Sequence, residues 1–188
     1  MPAASTTSPA YDLVLLAHVL TAVIGLVALA VSAGSALALR SVLVRGAPVP
    51  DALARYYRPG VNWAGRTLFL VPVFGVALLL MSGGRWALSD TWVSMGLAGW
   101  ALVALAAEGA LWPEERRLQV VVATLGNGAG GVGDEAIVAE VPPAVDGNGA
   151  TDPVDPTGAP GRCLRAALVG TGLSAVLVAV GVLMVAKP

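Results

Sequence analysis

Four stretches of the chain are apolar almost without interruption, and each is closed by arginine, glycine, proline or aspartate. The longest is "LVLLAHVLTAVIGLVALAVSAGSALAL", which ends at Arg40. A helix that crosses a bilayer needs about 20 mostly apolar residues. The pattern predicts spans over 13–39, 61–82, 91–112 and 166–186, the last lying in a C-terminal segment 162–188. The first run is long enough to tilt or to project beyond the bilayer. No basic stretch precedes it, and it far exceeds the roughly 7–15 apolar residues of a secretory signal, so it reads as a retained helix. The fold class expected is all-α, a polytopic four-helix membrane bundle.

The connection after the third run has two parts. "PEERRLQVVVATL" (113–125) opens with proline and two glutamates, as helix N-termini do. It predicts a cytoplasmic helical extension of the third span, so that 1–125 forms one membrane domain. Residues 126–161 are rich in Gly and Pro and hold six acids and no base. They read as a disordered acidic linker. Their glycines lack the GxxxxGK[ST] spacing of a phosphate loop.

Composition agrees with the pattern. Of 188 residues, 56% are hydrophobic and 12% are charged, against roughly 25% charged in a soluble domain. Mean hydropathy is +0.78. A net charge of −1 argues against a nucleic-acid partner, which needs a basic face. The single cysteine, Cys163, rules out an intrachain disulfide and a CxxC metal site. The cations are nearly all arginine in an Ala-, Val- and Gly-rich chain, a composition associated with bacterial genomes of high GC content.

The cations are also unevenly distributed. Arg40, Arg45, Arg55, Arg58 and Arg66 flank the first connection, and Arg116, Arg117, Arg162 and Arg165 flank the third. Arg85 and Lys187 fall on the other side. The positive-inside rule then places both termini outside and Cys163 in the cytoplasm. Tyr11, Trp86 and Trp92 are expected at the outer interface, and Tyr56, Tyr57, Trp63 and Trp112 at the inner one. Trp100 falls mid-span, as a packing residue.

Polar side chains inside the spans are the candidates for chemistry. Arg66 and Glu108 lie at similar depth near the cytoplasmic ends of the second and third spans, and are expected to form a structural intramembrane pair. A proton or ion path through Glu108, as in a small transporter, is the alternative. Pro72 removes a backbone hydrogen bond in the second span and frees the carbonyl of Leu68.

His18 is the one histidine. On a helical wheel Thr21, Ala22, Gly25, Leu29, Ser32 and Ala36 share its face, a stripe of mostly small residues suited to close helix approach. Helix four offers small positions at Gly170, Ser174 and Ala175. His18 therefore reads as a hydrogen-bonded residue of the bundle interior. The alternative is a ligand, with Met81, Met95 and Met184 as thioether partners for Cu(I), or a His/Met haem centre.

The stretches "YDLVLLAHVLTAVIGLVALAVS", "RYYRPGVNWAGRTLFLVPVFGVALLL" and "WALVALAAEGALWPEERRLQ" resemble a family of bacterial integral membrane proteins of unknown function. The resemblance rests on helix layout, the early histidine and the E-x3-W-P end of helix three. That family is distantly similar to copper-resistance protein D and to HemJ-type protoporphyrinogen oxidases. The resemblance implies a multi-pass protein of the bacterial cytoplasmic membrane, with His18 matching the early histidine through which haem or copper would be held. The functional classes expected are a non-enzymatic accessory or structural protein, a haem- or copper-handling protein, and a small transporter. The expected partners are the lipid bilayer and a second copy of the chain or another membrane protein.

Overall fold

The computed structural model describes residues 8–129 and 158–185, and among them it contains helices and no strand. Helix α1 runs over Pro9–Val44 and α2 over Asp51–Tyr56. Helix α3, Trp63–Arg66, passes through a 3-10 turn at Thr67–Phe69 into α4, Leu70–Met81. Helix α5, Thr91–Ala106, passes through a π-helical turn at Ala107–Leu111 into α6, Trp112–Ala129. Helix α7 covers Ala159–Val185.

Four helical runs are long and apolar enough to cross a membrane: Pro9–Val44, Trp63–Met81, Thr91–Gly126 and Ala159–Met184. The chain is built as an all-α multi-pass membrane protein. The first and third runs have 36 residues each, or roughly 54 Å at the α-helical rise, against about 30 Å of hydrocarbon core.

Local chemistry sets the ends. Ser8 caps α1 by accepting the Tyr11 N–H on its hydroxyl at 3.2 Å, with Pro9 at the first helical position. The helix passes its expected end at residue 39 and stops at Val44. The stop signal is Gly46, at φ 62°, and not Arg40. The Gly46 and Ala47 N–H groups bond back to Leu43 O and Val42 O, both at 3.1 Å, closing a Schellman cap. Asn62 caps α3 through its side-chain oxygen, on the Gly65 N–H at 3.2 Å.

Both irregular turns precede prolines. Pro72 has no N–H for the carbonyl of Leu68, and its ring crowds that carbonyl, so the helix tightens into the 3-10 turn at Thr67–Phe69. Pro113 acts on Gly109 in the same way, and Ala107–Leu111 widens into a π turn. The "PEE" sequence therefore lies inside a continuing helix and does not begin one. The helical extension expected over 113–125 is present and reaches Ala129. The fourth helix starts at Ala159, seven residues earlier than expected. Helix α2, in the first connection, is an addition. Residues 126–129 and 159–161 of the expected linker are helical, residue 158 is a 3-10 position, and 130–157 lie outside the described residues.

The chain divides into two compact units. The first comprises 1–31, 62–107 and 170–188. Gly25, Leu29, Leu68, Val103, Ala104 and Leu173 are buried in it. Gly25 brings α1 close to the second run: a Cβ there would meet Leu68 Cδ1 at 3.3 Å. Its outer surface carries side chains such as Leu80, 79% exposed, and Leu105, 73% exposed. Apolar exposure of that extent matches acyl chains and not water.

The second unit comprises 32–61 and 108–169. Leu39, Tyr57, Leu111, Leu118 and Cys163 are fully buried in it. Its surface carries exposed Arg40, Arg45, Arg55, Arg58, Arg116, Arg117 and Arg165. Burial of a leucine such as Leu118 beneath a polar surface contributes about 2 kcal/mol.

Candidate functional site

The stripe on α1 faces inward, with Thr21, Gly25, Leu29, Ser32 and Ala36 all buried. His18 stands at one end of it and is partly buried. Its Nδ1–H donates to the carbonyl oxygen of Val71 at 2.9 Å. Inside α4 that carbonyl already serves the N–H four residues on, and a carbonyl has two lone pairs. Gly75 makes the approach possible: a Cβ there would stand 3.3 Å from His18 Cε1. Among the described residues Thr21 bonds within its own helix. Its hydroxyl lies 2.9 Å from both Ala17 O and His18 O on its own helix.

One turn before Val71 lies the carbonyl that Pro72 deprives of a helical donor. The indole N–H of Trp100 donates to Leu68 O at 2.9 Å. Phe69 packs edge-on against the Trp100 ring, with centroids 6.3 Å apart. Trp100 is thus a hydrogen-bond donor as well as a packing residue. Side chains from α1 and α5 hold two successive turns of the Pro72 distortion.

The third and fourth runs approach through glycines. A Cβ on Gly99 would meet Val180 Cγ2 at 2.5 Å, and one on Gly96 would overlap the terminal methyl of Met184. Met184 is therefore committed to packing on Gly96, and Met95 beside it is 50% exposed. Met81 is 41% exposed. It lies ten residues, roughly 15 Å along the helix axis, beyond Val71, outside ligating reach of the ring held there. The Val71 carbonyl and Gly75 are among the groups against the His18 ring. Among the described residues, no group of three or more His, Cys, Asp or Glu side chains is placed to hold a metal ion. A histidine that bonds a backbone carbonyl through Nδ1 has an orientation that ligating histidines also use.

Arg66 closes α3 in the first unit and is partly buried. Glu108 is exposed, in the π turn of the second unit. Each has an interaction partner. In helix four, Gly170 is buried, the Ser174 hydroxyl donates to Gly170 O at 2.8 Å, and Ala175 is exposed.

The buried carboxylate of the second unit is Glu115, 6% exposed. Its Oε1 accepts the Ser32 hydroxyl at 2.6 Å and the Tyr56 hydroxyl at 2.8 Å. One oxygen thereby joins α1, α2 and α6. Hydrogen bonds to an ionised acceptor are short and roughly twice as strong as neutral ones. Tyr57 packs edge-on against Tyr56 at 5.0 Å, and among the described residues its hydroxyl is buried without a hydrogen-bond partner, as is Oε2 of Glu114. Burial raises the pKa of both tyrosines well above the usual phenol range. The Glu115 charge raises that of Tyr56 further, and Tyr56, Cys163 and Glu115 raise that of Tyr57. Both stay protonated and able to donate.

Glu115 is not legible in the sequence, because a Pro-Glu-Glu run at the end of an apolar stretch has the pattern of a solvated helix start. The available signal was Ser32, a polar residue on the inward stripe that needs a partner. Comparison with known proteins finds no family model that matches the chain, no similar curated protein and no similar solved structure.

Proposed function

We propose that this protein is a small, non-enzymatic accessory or structural protein of a bacterial cytoplasmic membrane, with both termini outside and the arginine-rich second unit in the cytoplasm. The observation that carries the reading is that His18, on Val71 O, and Trp100, on Leu68 O, both brace the Pro72 distortion. The one side chain of the spans best suited to ligation is engaged with backbone, as is the Trp100 indole. Both bonds stabilise a proline-distorted helix, which is the work of a scaffold. The arginine distribution supports the orientation.

Two alternatives have an observation each. The Nδ1 bond of His18 to a backbone carbonyl, an orientation that ligating histidines also use, favours a haem- or copper-handling protein. The π turn at Glu108 favours a small transporter working through the Arg66 and Glu108 region, since such turns are frequent at functional sites. Absorbance and metal analysis of protein purified from its native membrane tests the reading. The expected result is neither a Soret band nor stoichiometric copper, and either one would overturn it.

A further inference from the structure

The segment 55–58, at the end of the short helix α2 and just beyond it, has two faces that a connector does not require. Tyr57 is fully buried and the Tyr56 hydroxyl is bonded inward to Glu115, whereas Arg55 and Arg58 are exposed. Two bonds fix this segment on α6: Tyr56 to Glu115 at 2.8 Å, and Gln119 Nε2–H to Gly60 O at 3.3 Å. Arg116 follows Glu115, stands within one turn of Gln119 and is also exposed, so it lies on the flank of α6 beside α2. Arg55 is held along α2 by its Nε–H on Asp51 O at 3.4 Å. Among the described residues none of these three arginines makes an ion pair, whereas Arg117 bonds Glu114 at 3.5 Å. Val61, 54% exposed, follows Arg58 by three residues.

We infer that Arg55, Arg58 and Arg116 form a platform that binds the headgroup phosphates of anionic phospholipids, with Val61 at its apolar edge. A guanidinium presents paired N–H donors that match two phosphate oxygens, which a lysine ammonium does not. Charge complementarity selects the partner, because clustered cations beside a membrane span are attracted to anionic headgroups. Anchoring of α2 on α6 supplies the rigidity. The inference does not depend on which side of the membrane the second unit occupies.

The test is native mass spectrometry of the full chain in detergent, titrated with phosphatidylglycerol or phosphatidylcholine. Phosphatidylglycerol should bind at least tenfold more tightly. Arg55→Gln, Arg58→Gln and Arg116→Gln should each weaken it about fivefold, and the triple variant should abolish the preference. Removal of the same charge elsewhere, by Arg40→Gln, Arg45→Gln and Arg165→Gln together, should leave most of it. Thermal midpoints in phosphatidylcholine show whether each variant folds, and the single variants carry the test if the triple does not. Equal affinity for the two lipids, equal losses in the two triple variants, or displacement of the lipid by inorganic phosphate at equal concentration would each overturn the assignment.

Discussion

The Trp100 indole N–H and the Leu68 carbonyl are 2.9 Å apart, and Leu68 is the residue whose helical donor Pro72 removes. The proline and the tryptophan are therefore one device, divided between two spans. Trp100→Phe should lower the stability of the detergent-solubilised protein by about 1 kcal/mol, since interhelical hydrogen bonds in membranes average about 0.6 and reach about 1.7. In a Pro72→Ala background the new Ala N–H serves Leu68, and the same substitution should cost less. Thermal unfolding of the four proteins gives the coupling, and equal costs in both backgrounds would separate the two residues.

The glycines give a paired prediction. Gly99→Ala places a methyl 2.5 Å from Val180 Cγ2, and overpacking of that kind costs typically 1–3 kcal/mol. Gly172→Ala on α7 meets nothing within 4 Å, and should be neutral or stabilising by about 0.5–1 kcal/mol. A reversed order of melting temperatures would show that the third and fourth runs do not approach through Gly99.

The Glu115 centre should be sensitive to the loss of either hydroxyl. Tyr56→Phe and Ser32→Ala each remove one of two bonds to a buried carboxylate oxygen, at about 1.5–3 kcal/mol apiece. Glu115→Leu should be tolerated better than its burial suggests if the hydroxyls turn to backbone, and that variant separates lost packing from lost charge. Melting of the three variants beside the wild type checks the ranking.

Alkaline pH probes the same place. The folded-state pKa values of Tyr56 and Tyr57 are raised by burial first, above the ordinary value of 10.0. A raised pKa contributes stability that is fully present below the unfolded value and is lost as pH rises beyond it. The melting temperature should hold up to about pH 10 and then fall. The fall should be shallower in Tyr57→Phe, and in a Tyr11→Phe background, which leaves only Tyr56 and Tyr57, tyrosinate absorbance should appear together with unfolding. A melting curve flat to higher pH, with tyrosinate forming in the folded protein, would contradict the burial of these hydroxyls.

The spans and the inward face of α1 were legible in the sequence because both follow from one variable, apolarity at helical spacing. Thr21, Gly25, Ser32 and Ala36 share a face at 3.6 residues per turn, and they are buried. The freed carbonyl of Leu68 was also legible, since it follows from proline's missing N–H. The donor was not, because nothing local links Trp100 to a residue 32 positions away. Helix α2 is not legible because six residues are too few to show a period. Glu115 was hidden by Pro113, a residue that usually starts or stops helices and here is absorbed by a π turn. Cys163 shows a further limit. Its flanking arginines suggest an accessible thiol, yet it is fully buried. A thiol reagent should label it only after denaturation.

The central claim is that His18 serves the backbone of the second span, and a three-protein comparison tests it most directly. Asparagine places an N–H donor close to the position of Nδ1, so His18→Asn can keep the bond to Val71 O, whereas His18→Leu cannot. Wild type, His18→Asn and His18→Leu are purified in parallel, and melting temperature, haem absorbance and copper content are measured on the same samples. The account predicts negligible haem and copper in all three, a near-native melting temperature for Asn, and a lower one for Leu. Stoichiometric haem or copper in the wild type, lost in both variants, would contradict it.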